Sequence, residues 1–327
     1  MTPMDSKDLK IIERILLKNG FDVGSDIKRY RSGIANRTYS VGDTYVVKIE
    51  GEWKGILAHQ KEIVDRMLSV GAKVPRIIDS GDINDKAYLL MEKLRGTNIV
   101  YDWLKFNMRQ KENFISQLAE ELQKFHSIRF DDYAVRIASG KKFRNLKDAI
   151  GKVTDFTLIA KNRLGASQRE AVDFLEAFYK AHLPLLDETG TAVLVHNDIH
   201  LENIFYEGDA ITGIIDFDWV SQAPKDYELW KIVEVFRDPK YTVEERLESL
   251  YENYKMTKEF GFLKKYYPAL FKKDNLADRI RLYYLEKIID RVVGYQNGKW
   301  DEKTMQIVQE EIKDLYKSDW LDNLVSV

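Results

Sequence analysis

The sequence predicts an α+β chain in two parts, a small antiparallel β-sheet followed by a mainly helical remainder. Three observations predict it. Short β-like apolar runs punctuated by glycine turns occupy much of residues 27–92. Helical spacing of apolar residues dominates after Gly96. The chain has 327 residues, 44% apolar and 32% charged, which suits two modest cores and excludes a disordered chain.

Residues 7–19 carry apolar side chains at 9, 11, 12, 15, 16 and 17, with Gly20 behind them. That is an amphipathic helix with a glycine stop. Strands are expected at 27–31, 38–41 and 45–49, with turns at Gly33 and Gly42-Asp43. Residues 56–70 return to helical spacing and end at Gly71; strands at 75–80 and 86–92 complete the sheet. Beyond Lys93–Gly96, helices are expected at 114–126, 168–186, 225–236, 243–254, 278–295 and 303–315. Two short strands, 204–206 and 211–215, interrupt them. Residues 128–166 are basic and poorly periodic, and read as an insertion.

Composition removes several classes of function. Lys and Arg number 51 against 53 Asp and Glu, so a net charge of −2 gives no general attraction to nucleic acid or anionic membrane. With no cysteine, disulfides, thiolate metal sites and cysteine nucleophiles are excluded. Residues 1–8 are polar and no apolar run approaches the ~18 residues of a membrane span. The expectation is a cytoplasmic monomer without nucleic-acid or membrane partners.

The chemistry concentrates in one segment. His196-Asn197-Asp198-Ile199-His200-Leu201-Glu202-Asn203 is followed by an apolar strand and then Ile214-Ile215-Asp216-Phe217-Asp218. Phosphoryl transfer needs a carboxylate to orient the attacking hydroxyl and accept its proton, and oxygen ligands to hold magnesium against the phosphates. Asp198 and Asn203 have the Asp-x-x-x-x-Asn spacing of a kinase catalytic loop. Asp216, at the end of the next hairpin, can meet Asn203 across a metal ion. His196 and His200 are four apart, a spacing that binds zinc on a helix, but Asp198 and Asn203 break the helical pattern.

This constellation resembles the aminoglycoside phosphotransferase and choline kinase-like family, which shares the protein kinase fold. The resemblance runs in order along most of the chain. Gly33-Ile34-Ala35-Asn36-Arg37-Thr38-Tyr39 resembles the phosphate-covering loop, Val46-Val47-Lys48-Ile49 the third-strand lysine motif, and Glu62 the ion-pair partner of that lysine. Leu89-Leu90-Met91-Glu92 resembles the hinge, where backbone groups of Glu92 and Leu94 would meet adenine. Leu118-Ala119 through Phe125-His126 resembles the family's helix ending in histidine, and Asp226 a further aspartate that opens a helix. Two departures stand out: Asn197 where the family often has Gly or Arg, and Asp218 where a protein kinase has Gly.

The resemblance implies a protein kinase-like fold, with residues 1–94 as a nucleotide-binding lobe and 95–327 as a catalytic and substrate-binding lobe. It implies a kinase that moves the γ-phosphate of ATP or GTP, with Mg2+, onto a hydroxyl of a small molecule. Asp198 would be the base. Asn203 and Asp216 would hold the metal. Gly33, Asn36, Lys48, Glu62, Met91, Glu92 and Leu94 would contact or support the nucleotide. Residues 196–260 hold 15 acids against 7 basic residues, which favours a cationic acceptor such as an aminoglycoside. Asp218, Trp219, Asp226 and Trp230 are candidates to bind it. Choline, a sugar or an amino alcohol such as homoserine remain open alternatives. A protein kinase is argued against because Ala223-Pro224-Lys225 follows Asp216 too closely for a peptide platform. A non-catalytic nucleotide-binding module fits poorly with the retained Lys48, Asp198, Asn203 and Asp216.

Overall fold

The structure, a computed structural model, describes residues 6–22, 24, 26–30, 36–51, 54–136, 142–187 and 191–326. The chain divides into two compact units. The first comprises Met1–Ile128, His200–Asp218 and Lys240–Glu252; the second comprises Arg129–Ile199, Trp219–Pro239 and Asn253–Val327.

The first unit opens with helix α1 (Ser6–Lys18) and strands β1 (Ile27–Arg29), β2 (Asn36–Val41) and β3 (Tyr45–Glu50). Helix α2 (Gln60–Ser69) and strands β4 (Ile77–Ile83) and β5 (Lys86–Glu92) follow. The five strands form one antiparallel sheet in the order β1-β2-β3-β5-β4. Ile11, Ile12, Ile15 and Leu16 of α1 pack on Tyr39, Val41, Val47, Ile49, Tyr88 and Leu90. The apolar face that the spacing predicts is therefore what closes one side of the sheet. Asp8, fully buried, ties the helix down by accepting from Arg37 at 2.5 Å and from the Tyr39 hydroxyl at 2.6 Å.

Two boundaries differ from expectation for local reasons. Helix α2 begins at Gln60, not at 56, because the chain first turns through Gly55 at φ 78°. Ile56 and Leu57 are buried within that turn, which is why they mimic helical spacing. Strand β4 runs on to Ile83 because Asn84 and Asp85, at φ 53° and 56°, make the tight left-handed hairpin turn into β5.

Strand β6 (Thr97–Asn98) pairs with the Ile204–Glu207 strand, which pairs in turn with Ala210–Ile214. Gly96, just ahead of β6, sits at φ 81°, and a Cβ there would stand 1.9 Å from the Tyr206 carbonyl oxygen. Only glycine fits. Helix α3 (Met108–Ser127) starts at a reciprocal cap between Asn107 and Gln110.

The second unit is built around the helix Leu276–Gln296, which packs against Leu146–Val153, Ala166–His182, Leu229–Arg237, Glu302–Tyr316 and Trp320–Val325. A three-stranded antiparallel sheet joins Ala192–Val195 to Arg129–Phe130 on one side and Ser221–Ala223 on the other. The poorly periodic 128–166 region thus holds very short strands and the Leu146–Val153 helix. The helix expected at 168–186 ends at His182, and a 3-10 turn over Leu183–Leu186 contains Pro184, which has no amide to continue it. The Thr257–Tyr266 helix was not expected. No helix among the described residues is long and apolar enough to cross a membrane.

Candidate active site

In the first unit, three donors from three elements converge on Asp218. Lys48 Nζ of β3 lies 2.7 Å from Oδ1, Gln60 Nε2 of α2 donates to the same oxygen at 2.6 Å, and Asn36 Nδ2 of β2 donates to Oδ2 at 2.6 Å. Lys48 also reaches Asp216 Oδ1 at 2.9 Å. Asp218 is 5% exposed and Asn36 2%. Burial alone would raise the Asp218 carboxyl, but the Lys48 charge and the three donated bonds hold it below its ordinary value. Burial would likewise lower the Lys48 ammonium; Asp216 and Asp218 outweigh it and hold it above its ordinary value.

Asn203 and Asp216 flank the open end of one hairpin. Ile204 pairs with Ile214, and the Ile215 amide donates to the Asn203 carbonyl at 2.9 Å. The 3-10 turn Leu201–Asn203 leads into the first strand. Asp216 follows the second with φ 70°, a left-handed conformation that aspartate tolerates at some cost.

Sequence spacing did not foresee the part played by Gln60. The expected partner of Lys48 on α2, Glu62, instead pairs with Arg66 at 3.0 Å, its side chain 68% exposed. The residue of α2 that turns inward is Gln60, 4% exposed, two positions earlier and therefore on another helix face. Gly33 lies outside the described residues. Met91 and Glu92 end β5, where the Glu92 side chain pairs with Arg76 at 2.6 Å. Leu94 packs against Gly213, where a Cβ would come within 2.6 Å of its Cδ1.

In the second unit, the segment from Glu228 to Lys231 grips the loop that carries Asp198. The Glu228 carboxylate accepts the amides of His196 and Asn197, both at 2.8 Å. The Trp230 indole donates to Asn197 Oδ1 at 2.6 Å. Lys231 Nζ lies 3.3 Å from Asp198 Oδ1 and 3.0 Å from Glu234 Oε2. The Asp198 amide donates to His196 Nδ1 at 3.3 Å. Asn197 stands at φ 64°, the left-handed region that glycine and asparagine fill, which accounts for asparagine at this position.

The residues nominated for the acceptor have occupations of their own. Asp226, 3% exposed, accepts from Arg279 at 2.6 Å and from the Tyr283 hydroxyl at 2.9 Å. Trp230 braces the Asp198 loop. Trp219 is half-buried, and its carbonyl accepts from the Ser221 hydroxyl at 3.3 Å. Asp218 faces Lys48.

Magnesium can be tested against these side chains. Asn203 and Asp216 offer hard oxygen donors at adjoining hairpin ends, and Asp216 and Asp218 already converge on one cation, the Lys48 ammonium. The donor chemistry fits a divalent ion of this kind.

Comparisons with known proteins address the fold and the family. The chain is similar in fold to aminoglycoside phosphotransferase APH(4)-Ia, at 15% identity over 97% of this chain and 98% of that one, with a TM-score of 0.66. It is similar to the gentamicin complex of APH(2'')-IIa, at 17% identity over 98% and 99% with a TM-score of 0.63. It is also similar to ADP-bound APH(2'')-Ib, at 16% identity over 97% and 99% with a TM-score of 0.62. No curated protein sequence matches it. The fold is thus the kinase-like α+β fold of small-molecule phosphotransferases. The model of the phosphotransferase enzyme family, APH, matches residues 26–260, and the chain belongs to that family.

Proposed function

We propose that this phosphotransferase moves the γ-phosphate of ATP or GTP to an alcohol hydroxyl of a small molecule, as a cytoplasmic enzyme. The observation that carries the reading is the convergence of Lys48 on Asp216 and Asp218 beside Asn203. A largely enclosed lysine held between two carboxylates is costly as mere structure and suits a site that exchanges cations and phosphates. The nucleotide complexes among its structural relatives support a nucleotide donor.

Each side chain then has a task. Lys48 binds the donor's phosphates when nucleotide enters. Asn36 and Gln60 keep Asp218 fixed while Lys48 changes partner. Asn203 and Asp216 are the residues that would hold magnesium, which when bound neutralises charge on the phosphate oxygens. Backbone groups from Met91 through Leu94 would receive the base. Asp198 orients the acceptor hydroxyl and takes its proton late in the transfer. Relatives captured with hygromycin B, gentamicin and streptomycin suggest a hydroxyl-rich small molecule as acceptor.

The test is calorimetric binding of ATP and GTP with magnesium, followed by ADP or GDP release against amines, aminoglycosides, sugars and hydroxy acids. Saturable nucleotide binding lost in Lys48→Met supports the reading. No nucleotide binding by the wild-type protein sinks it.

A further inference from the structure

The acidic surplus of residues 196–260 invites a cationic acceptor, but three of its buried members, all in the second unit, are already matched there. Glu228 takes two loop amides, Asp226 takes Arg279, and Glu234 faces Lys231 at 3.0 Å, Lys287 at 3.3 Å and Arg291 at 3.8 Å. The one side chain expected to meet the acceptor hydroxyl, Asp198, has the Lys231 ammonium 3.3 Å away. Both are largely enclosed, with side chains 17% and 13% exposed, and Glu234 behind them is 2% exposed.

We propose that Lys231 is a positioning residue for Asp198, and that the acceptor is consequently a neutral or anionic hydroxyl compound, not a polyamine. The inference rests on the reading of Asp198 as the base. Lys231 is itself fixed. Glu234 anchors it one helical turn on, and its ammonium stands 6.0 Å from the centre of the Trp230 ring, whose indole holds the neighbouring Asn197. A carboxylate paired with a fixed cation keeps one orientation, which is what a base that positions a hydroxyl requires. The same cation repels a second positive charge brought beside it. Glu234 cannot offset that repulsion, since Lys287 and Arg291 share its charge. A polycation carrying ammonium groups next to its reacting hydroxyl would have to displace this lysine. A sugar hydroxyl or the hydroxyl of a hydroxy acid would not.

The experiment uses the full chain. A double-mutant cycle of Lys231→Met and Asp198→Asn, read by urea unfolding, isolates the pairing. The effects are expected to be non-additive by about fivefold in the unfolding constant; additivity within twofold overturns the pairing. Should Lys231→Met not fold, Lys231→Gln takes its place in the cycle. Initial rates of ADP release from magnesium–ATP separate positioning from mere support. Lys231→Met should lower kcat at least tenfold with the KM for ATP kept within twofold, and Lys231→Arg should restore most of it. Equal losses in Met and Arg variants overturn the positioning role. Calorimetry and ADP release with gentamicin test the acceptor class: binding or turnover of gentamicin by the wild type overturns it, and neither is expected. Loss of the phosphotransferase reading would show separately, as failure of the wild type to bind magnesium–ATP, and would leave the urea cycle to decide the pairing.

Discussion

Asp218 and Asp198 are two enclosed carboxylates held in opposite ways. Asp218 collects donors from β2, β3 and α2, which lie 182, 170 and 158 residues away in the chain. Asp198 is held by its own loop and by a lysine 33 residues on. The first arrangement exists only once the sheet and α2 are assembled. The second needs one loop and one helix. Substitution around Asp218 should therefore cost stability, whereas substitution of Asp198 should cost turnover.

The sharpest break of this comparison is at the chemistry. Asp216→Ala should abolish turnover with the fold intact, and Asp198→Asn should lower kcat by ~10²–10⁴-fold, the usual contribution of a positioned base. Nucleotide affinity in Asp198→Asn should stay near wild type, since on the proposed reading Lys48, Asn203 and Asp216 carry that binding. Steady-state kinetics beside calorimetry checks both. Equal losses of turnover and nucleotide affinity in Asp198→Asn would make it a structural residue like Asp218.

Next comes Lys48→Met. It strips a buried carboxylate of its counter-charge and leaves only Gln60 and Asn36 on Asp218. Breaking a buried pair in this way costs about 3–5 kcal/mol. Lys231→Met should cost less, because Glu234 keeps Lys287 and Arg291. Urea unfolding of the two variants side by side measures the difference; equal losses would erase the distinction between the two regions.

The same contrast explains what the sequence disclosed. Asp198, Asn203 and Asp216 were legible because a loop and a hairpin fix their spacing within nineteen residues, and strand β5 because its apolar run is bounded by turns. Gln60 was not, because its partner lies 158 residues away and no local pattern marks which face of α2 turns inward. Lys231 was missed for the same reason at shorter range. Asp226 and Trp230 look chemical in sequence because they are charged or aromatic, yet Arg279 and Asn197 engage them as structure. The 128–166 stretch escaped because two-residue strands leave no period to read.

A smaller effect should follow at the turn into β6. Gly96→Ala meets both a positive φ and the Tyr206 carbonyl at 1.9 Å, so it should destabilise by about 2–3 kcal/mol. Gly20→Ala shares the positive φ but has open space around its Cβ, and should cost about 1 kcal/mol. Thermal unfolding of the pair separates crowding from backbone strain; equal shifts would show that the carbonyl yields.

The mildest test varies burial alone. Asp79, like Asp218, accepts from three side chains: Lys18 at 2.9 Å, Asn19 at 2.9 Å and the Tyr88 hydroxyl at 2.7 Å. Unlike Asp218 it lies near solvent, with its side chain 18% and that of Lys18 56% exposed. Burial would raise its carboxyl, but the bonds from Asn19, Lys18 and Tyr88 prevail and bring it down to about 2. A carboxyl whose folded value is depressed stabilises the fold above its unfolded value, near 3.8, and that stability is lost as pH falls toward 2. Solvent screening around Lys18 reduces the contribution to about 1 kcal/mol. Asp79→Asn should therefore trail the wild type by that amount in urea at pH 7, and the gap should close between pH 4 and pH 2. A gap that persists unchanged at pH 2 would mean that shape and neutral hydrogen bonds hold Asp79. The distinction drawn for Asp218 would then rest on geometry and not on charge.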